Sequence, residues 1–295
     1  MTTSAVVSKI LPFSCVDGPG NRLVIFLQGC NFNCKSCHNP HTINRCNHCG
    51  DCVEHCPAGA LSISLANPTT SAKPQVQWDE SLCSQCDRCI DVCPHNSTPK
   101  TRRYNVEQML ELVRENSLFL TGLTVTGGES TLQLKFIVAL FTAIKQSPDL
   151  NHLTCLVDSN GSLSATGWRS LLPVIDGAMI DLKAWQQETH LWLTAKRHHR
   201  VFDSMRLLTQ EDKLHEVRLL HIPQQSDFIE HAKELADYFR ALAVQPRIKL
   251  NAFHNHGVTG EASTWPACQQ QDIEALATQL EGHGLTNLVL PAVYI

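Results

Sequence analysis

The stretch NRLVIFLQGCNFNCKSCHNP, Asn21 to Pro40, joins an apolar run to three cysteines, Cys30, Cys34 and Cys37, spaced C-x3-C-x2-C. The apolar run, ending at Gly29, reads as a buried strand. A [4Fe–4S] cluster normally takes four thiolates, and this run supplies three. One iron is then left with an open coordination position. A cluster used only to carry electrons gains nothing from that, whereas one that binds a substrate requires it, as catalytic zinc does. The run therefore reads as a reaction centre. Two competing readings are a fourth thiolate from Cys15 and a zinc site.

Two complete runs follow. Cys46, Cys49, Cys52 and Cys56-Pro57 fit C-x2-C-x2-C-x3-C-P, and so do Cys83, Cys86, Cys89 and Cys93-Pro94. This is the spacing of two-cluster ferredoxins, in which the fourth cysteine of each run ligates the other cluster. The expected sets are Cys46, Cys49, Cys52 with Cys93, and Cys83, Cys86, Cys89 with Cys56. A pair of zinc sites is the competing reading, since zinc also uses C-x2-C pairs. The two halves, CNHCGDCVEHCP and CSQCDRCIDVCP, are the internal repeat of the chain, joined by a polar, proline-containing linker at 66–77. Of the 14 cysteines, Cys15, Cys155 and Cys268 read as lone thiols, Cys155 as core packing on an apolar strand.

After Lys100 helical and strand patterns alternate. GLTVTGGE, HLTCLVDSNG, DGAMIDLK, HEVRLLHIP and RIKLNAFHNHG read as strands. NVEQMLELVREN, TLQLKFIVALFTAIKQ, DFIEHAKELADYFRAL and a segment at 270–281 read as helices, with Asn105 as N-cap and Gln108 three residues on. With the first strand this makes six strands with helical crossovers, the mark of a parallel sheet or open barrel; NLVLPAVYI adds a short one. Catalytic groups in such barrels gather at the C-terminal strand ends. Five strands here end in Cys30, TGGE, DSNG, DLK and FHNH, and a sixth carries Arg218.

A chain of 295 residues, 43% hydrophobic, can bury a full core. A net charge of -4 without a long basic run argues against a nucleic-acid partner. No stretch reaches the ~18 apolar residues of a membrane span, and the N-terminus lacks the pattern of a signal peptide. The expectation is a cytoplasmic protein with no membrane partner.

C-x3-C-x2-C at the end of a first barrel strand, followed by TGGE, resembles the radical S-adenosylmethionine (SAM) enzymes. More narrowly, CVDGPGNRLVIFLQGCNFNCKSCHNP is similar to the N-terminal signature of the glycyl-radical enzyme activating enzymes, many of which carry a two-cluster ferredoxin insert at this point. VTGGESTLQ, CLVDSNG, AMIDLK, EVRLLHIP and LNAFHNHG extend the likeness along nearly the whole chain. The resemblance implies an open parallel β/α barrel of the radical SAM type, formed by 1–44 and 100–295, with a ferredoxin-like insert at 45–99. It implies three [4Fe–4S] clusters, one of them binding SAM through its open iron. One electron cleaves SAM to methionine and a 5′-deoxyadenosyl radical, which removes a hydrogen from a backbone glycine of a partner glycyl-radical enzyme. Flavodoxin or a ferredoxin would supply the electron.

Site residues carry over from the same resemblance. Gly127, Gly128 and Glu129 would hold the SAM amino group. Asp158, Ser159, Asp181 and the main chain of Met179 would hold a monovalent cation, sodium or potassium, against the SAM carboxylate. Lys183 and Arg218 match basic positions near the carboxylate and ribose, His254 a histidine near the nucleoside, and Asp17 an acid near the bound glycyl loop. The chain departs from the pattern twice: Ser36 stands where the family has an aromatic residue near the adenine, and Ser130 where it has proline. Taken singly, each motif has a plainer reading. Gly-Gly-Glu and Asp158-Ser159-Asn160-Gly161 are turns, Asp181-Leu182-Lys183 a surface ion pair, His254 and His256 exposed histidines, and KRHHR, Lys196 to Arg200, a solvated basic face. The alternative functions are radical SAM chemistry on a small molecule, nucleoside or peptide, and a ferredoxin-like electron carrier.

Overall fold

In a computed structural model, which describes residues 3–64 and 74–291, the opening apolar run becomes the pivot of a mixed sheet. The chain begins with β1 (Ser4–Ser14) and β2 (Arg22–Leu27), then crosses the cysteine-rich insert with β3 (Leu61–Ile63), β4 (Val76–Trp78) and the short α1 (Arg88–Asp91). It returns through β5 (Arg102–Asn105) and α2 (Val106–Asn116). There follow β6 (Gly122–Gly127), α3 (Leu134–Gln146), β7 (Thr154–Ser159), α4 (Ala165–Leu171) and β8 (Gly177–Leu182). Next come α5 (Gln187–Thr194), α6 (His199–Gln210), β9 (Leu214–His221), α7 (Ala232–Arg240), β10 (Arg247–Ala252), α8 (Gln270–Gly282) and β11 (Leu288–Val289).

The strand order is β11-β10-β9-β8-β7-β6-β2-β1-β5. From β2 to β11 every neighbouring pair is parallel. β1 and β5 extend the sheet antiparallel beyond β2. Among the described residues the sheet is open, with β5 and β11 at its edges. This is the expected open α/β barrel. Its parallel strands are buried almost throughout because helices cover them. Phe136, Ile137, Leu140, Phe141 and Ile144 of α3 form one such apolar stripe, at helical spacing.

The base of the barrel is closed by a group that sequence reading passed over. Arg22, the first residue of β2, is wholly buried. Its guanidinium donates to Thr124 Oγ1 (2.7 Å), Thr154 Oγ1 (2.9 Å), the Thr154 carbonyl (3.0 Å), the Pro19 carbonyl (3.3 Å) and the Leu123 carbonyl. Burial draws its pKa down to about 10. A buried cation is tolerated when its donors are all used.

α2 opens as expected: the Gln108 amide donates to Asn105 Oδ1 (2.8 Å), and Gln108 Oε1 accepts from the Asn105 amide (3.0 Å). Four strands were not anticipated, among them β3 and β4, of three residues each. β1 contains Pro12 and two irregularities in its pairing with β2, which blur its alternation. β5 is short and polar. Helices α4 to α6 also went unread. Of the expected linker at 66–77, Val76 and Gln77 belong to β4, and 66–73 lie outside the described residues. So do 292–295 of the expected last strand.

The insert is a different kind of structure. Its buried cluster consists of Cys52, Leu61, Val76 and Cys89, with Val53, Cys56, Trp78, Ile90 and Val92 packed alongside. Its ends are tied to the barrel. Gln28 Nε2 donates to the carbonyls of His41 (2.8 Å) and Asn44 (2.6 Å), Ser97 Oγ to the Asn44 carbonyl (2.8 Å), and Arg102 pairs with Glu80 (3.0 Å).

Candidate active site

The cysteine loop is set by backbone hydrogen bonds on both sides. The Gly29 and Cys30 amides donate to the Thr42 and Ile43 carbonyls (2.8 and 2.9 Å), and the Asn33 and Lys35 amides to the Thr194 and Leu193 carbonyls at the end of α5 (3.0 and 2.9 Å). The loop thus stands at the C-terminal end of β2, over a cavity of about 720 Å³. Cys30, Cys34, Ser36 and Cys37 line this cavity from the loop. Cys15 is exposed and is not among its lining residues.

The other strand ends close on the same space. Gly127 and Gly128 from β6, Asp158 and Ser159 from β7, Asp181 and Lys183 from β8, Arg218 from β9 and His254 after β10 all line it, as does Asp17. Two expected residues do not. Met179 is buried, and its sulfur accepts from Arg218 Nη2 (3.1 Å). Glu129 lies behind the wall, where its carboxylate accepts from the Thr131 amide (2.9 Å), Thr131 Oγ1 (2.5 Å), Ser159 Oγ (2.9 Å) and the Asn160 amide (2.7 Å). Burial pushes its carboxyl above the usual range, against the pull of those four bonds. Glu129 therefore holds the turns after β6 and β7 together.

The glycines are required by close approach. A Cβ on Gly127, at φ +129°, would stand 2.1 Å from the Leu27 carbonyl oxygen, and one on Gly128 would stand 2.4 Å from that of Gly29. Ser130, in place of proline, donates from Oγ to the Asp158 carbonyl (2.9 Å) and so ties the turn after β6 to β7.

Charges in the cavity are arranged in pairs. Asp158 Oδ2 accepts from Arg218 Nη1 (3.0 Å) and Thr126 Oγ1 (3.0 Å), while its Oδ1 is buried with no partner. Burial raises the Asp158 pKa, Arg218 opposing. Arg218 also donates to Glu216 (2.8 Å). Lys183 Nζ lies 2.8 Å from Asp181. Burial works against the Lys183 charge, but Asp181 and the Cys34 thiol outweigh it and push the pKa up. Burial raises Cys30 to about 11 and Cys34 to about 12, with Cys37 also raised. Such thiolates need a compensating positive charge, which an iron centre provides.

His254 stacks flat on His38, ring centroids 4.2 Å apart, and its Nδ1 is buried without a partner. Burial draws His38 down to about 4. The sequence reading did not single out His38, Lys249 or Asn251, and took Cys268 for a lone thiol; all four line the cavity. Lys249 and Asn251 could have been found from the alternation of β10, where they flank the buried Leu250. KRHHR is largely exposed, as expected.

In the insert, Cys56 lines the same small pocket as Cys83, Cys86 and Cys89. Burial raises the Cys46 thiol pKa, and the neighbouring Cys93 and Cys49 thiols add to the rise. Among the described residues no three His, Cys, Asp or Glu side chains converge as they would on a single ion.

Comparison with known proteins bears on both parts. A family model described as "4Fe-4S dicluster domain" matches residues 45–97, and one described as "4Fe-4S single cluster domain" matches 16–65. The isethionate sulfite-lyase activating enzyme of Desulfovibrio desulfuricans is 27% identical over 270 residues, 85% of this chain and 83% of that one. The 4-hydroxyphenylacetate decarboxylase activating enzyme of Clostridioides difficile is 26% identical over 273 residues, again 85% and 83%. Among solved structures, Streptococcus suis SuiB bound to precursor peptide SuiA covers 91% of this chain with 48% of its own length matched, at TM-score 0.54 and 13% identity. A radical SAM methyltransferase from Sphaerobacter thermophilus covers 71% of this chain and 62% of its own length, at TM-score 0.51 and 15% identity. The chain is related in sequence to the glycyl-radical enzyme activating enzymes and has the fold of the radical SAM proteins.

Proposed function

We infer that this protein is a radical SAM activase, which cleaves S-adenosylmethionine reductively and takes a hydrogen atom from a backbone glycine of a partner glycyl-radical enzyme. The observation that carries the reading is the meeting of a three-thiol loop with two unpartnered buried polar atoms, Asp158 Oδ1 and His254 Nδ1, around one cavity. Its volume, about 720 Å³, is in the range of cofactor sites.

The residues fit the groups they would hold. Cys30, Cys34 and Cys37 would ligate the SAM-binding cluster, whose charge offsets the cost of their buried thiolates. When bound, that cluster supplies one electron to the sulfonium of SAM, and the adenosyl fragment released with methionine removes the glycine hydrogen. Gly127 and Gly128 let the backbone approach the amino group, because no side chain intervenes. Asp158 Oδ1, Ser159 and Asp181 offer oxygen to a monovalent cation, sodium or potassium. Lys183 stays charged and sets the local field beside the thiol loop. His254, held flat against His38, offers a ring face and a free nitrogen to the nucleoside. Ser36 is small, so the adenine side of the loop is less filled than an aromatic residue would leave it. Asp17, whose carboxylate accepts from Ser14 Oγ (2.5 Å), lines the cavity and would stand near the bound glycyl loop.

In the insert, Cys46, Cys49, Cys52 and Cys93 would hold one cluster and Cys83, Cys86, Cys89 and Cys56 the other, giving about twelve irons in all. Fully ligated clusters leave SAM no iron to bind, so their part is electron transfer from a donor such as flavodoxin or a ferredoxin.

The test is anaerobic incubation of the reconstituted, reduced protein with SAM and a candidate glycyl-radical enzyme, read by electron paramagnetic resonance. A glycyl radical is expected with the wild type and none with Cys34→Ala, whose iron content should fall from about twelve to about eight. 5′-Deoxyadenosine formed by the variant would show that the triad is not the reaction centre.

A further inference from the structure

Six charged side chains line the cavity: Asp17, Asp158, Asp181, Lys183, Arg218 and Lys249. Four of them neutralise one another, Asp158 with Arg218 and Asp181 with Lys183. Arg218 is committed further. Its Nε donates to Glu216, its Nη1 to Asp158 and its Nη2 to the Met179 sulfur. Among the described residues this leaves one acid and one cation without an opposite charge at ion-pair distance, Asp17 and Lys249. The occupant of the cavity must therefore bring a positive group toward Asp17 and a negative one toward Lys249, because an unpaired charge in a confined site favours a ligand of opposite sign.

Lys249 is placed for this. It lies on β10 directly beside Arg218 of β9 in the parallel register. Two residues on, and so on the same face of the strand, stands Asn251 beside Leu220. Leu250 between them is fully buried on the other face. Both Lys249 and Asn251 line the cavity, and among the described residues neither side chain makes an internal hydrogen bond or ion pair. An ammonium with three donors next to a carboxamide with two is a carboxylate-binding pair. Lys183 and Arg218 would have to break existing ion pairs to serve the same purpose; Lys249 would not.

We propose that Lys249 and Asn251 form a carboxylate subsite of the cavity. The proposal rests on the activase reading. Two ligands of that reading carry a carboxylate: SAM itself, at its methionine end, and an acidic side chain next to the target glycine in the partner's loop. The chemistry at Lys249 is the same for both.

The experiment is equilibrium binding to the cluster-reconstituted enzyme under anaerobic conditions, using wild type, Lys249→Gln and Lys249→Arg. The probes are SAM, decarboxylated SAM, and glycine-centred pentapeptides with Glu or Gln beside the glycine, added in the presence of SAM. If the carboxylate is that of SAM, Lys249→Gln weakens SAM about tenfold or more while decarboxylated SAM binds as before. If it is the loop's, SAM affinity holds, and the wild type's preference for the Glu peptide over the Gln peptide disappears in Lys249→Gln. Lys249→Arg retains the discrimination in either case. The subsite is overturned if Lys249→Gln changes neither the SAM to decarboxylated-SAM ratio nor the Glu to Gln peptide ratio while wild type binds SAM. Wild type that fails to bind SAM would remove the activase reading, and the subsite with it.

Discussion

The barrel and the insert use cysteine in opposite ways. In the barrel Cys30, Cys34 and Cys37 sit on a cavity wall, outside a continuous core that runs from Ala5 to Leu285. In the insert two cysteines, Cys52 and Cys89, make up half of the buried cluster. The barrel can keep its shape without metal, so its cysteines are free to be arranged for chemistry. The insert has too little apolar surface to fold on burial alone, and its clusters must supply the missing core. The difference accounts for a third, incomplete cysteine run beside two complete ones. Removing a ligand is affordable only where the fold does not depend on it.

The strongest way to break this comparison is to remove all iron. Chelation should abolish the hydrogen-exchange protection of amides between Cys46 and Cys93, while amides of β2 and β6 to β9 stay protected. Insert amides that remain protected without iron would show that β3, β4 and their small cluster suffice. Loss of protection in both parts would show that the barrel also leans on its metal.

A smaller effect separates the two parts by their glycines. Gly127→Ala would drive a Cβ into the backbone of Leu27, where β2 and β6 run side by side. The cost should be about 3 kcal/mol or more, with SAM binding lost along with it. Gly59 in the insert also has positive φ, +63°, but nothing lies within 4 Å of its added Cβ. Gly59→Ala should cost about 1 kcal/mol, from backbone conformation alone. Denaturant midpoints of the two variants measure the contrast, and equal losses would contradict it.

What could be read in the chain follows the same division. The parallel strands were legible because burial on both faces makes them unbroken apolar runs ending in polar motifs, as in GLTVTGGE and DGAMIDLK. β1 was not, since its irregular pairing breaks the period that marks a strand. α5 was hidden for another reason: it buries His190 and Thr194, polar residues that no apolar stripe announces. α6 did carry a signal, Val201, Met205 and Leu208 at helical spacing, which the search for motifs passed over. In the cavity, residues belonging to strand-end motifs were legible by resemblance. The place of Lys249 on the cavity face was legible in the alternation of β10, but its role was not, because that depends on which of its neighbours are already paired, a property of the folded ion pairs.

The smallest expected effect concerns the bridge between α5 and the cysteine loop, and here it is the barrel that depends on a titrating group. His190 is buried, its ring set edge-on to Phe32 at 5.6 Å. Nδ1 donates to the Lys196 carbonyl (2.8 Å), and Nε2 is buried with no partner. A proton added at Nε2 would find no acceptor, so burial holds the pKa down to about 4, from an ordinary 6.5. Between those values the unfolded chain binds the proton and the folded one does not. His190 therefore contributes stability that is complete above pH 6.5 and is lost as the pH falls toward 4. The carbonyls of Leu193 and Thr194, on the same helix, receive the Lys35 and Asn33 amides of the cysteine loop, so the loss is felt where the thiols are held. Metal-free protein avoids acid damage to clusters. Its barrel should lose at most about 2 kcal/mol from this group between pH 7 and pH 5. His190→Gln, measured by urea denaturation at both values, should fall less on acidification than wild type. Identical pH dependence in the two proteins would mean that His190 takes up its proton as readily in the folded chain as in the unfolded one, and that α5 grips the loop without regard to its charge.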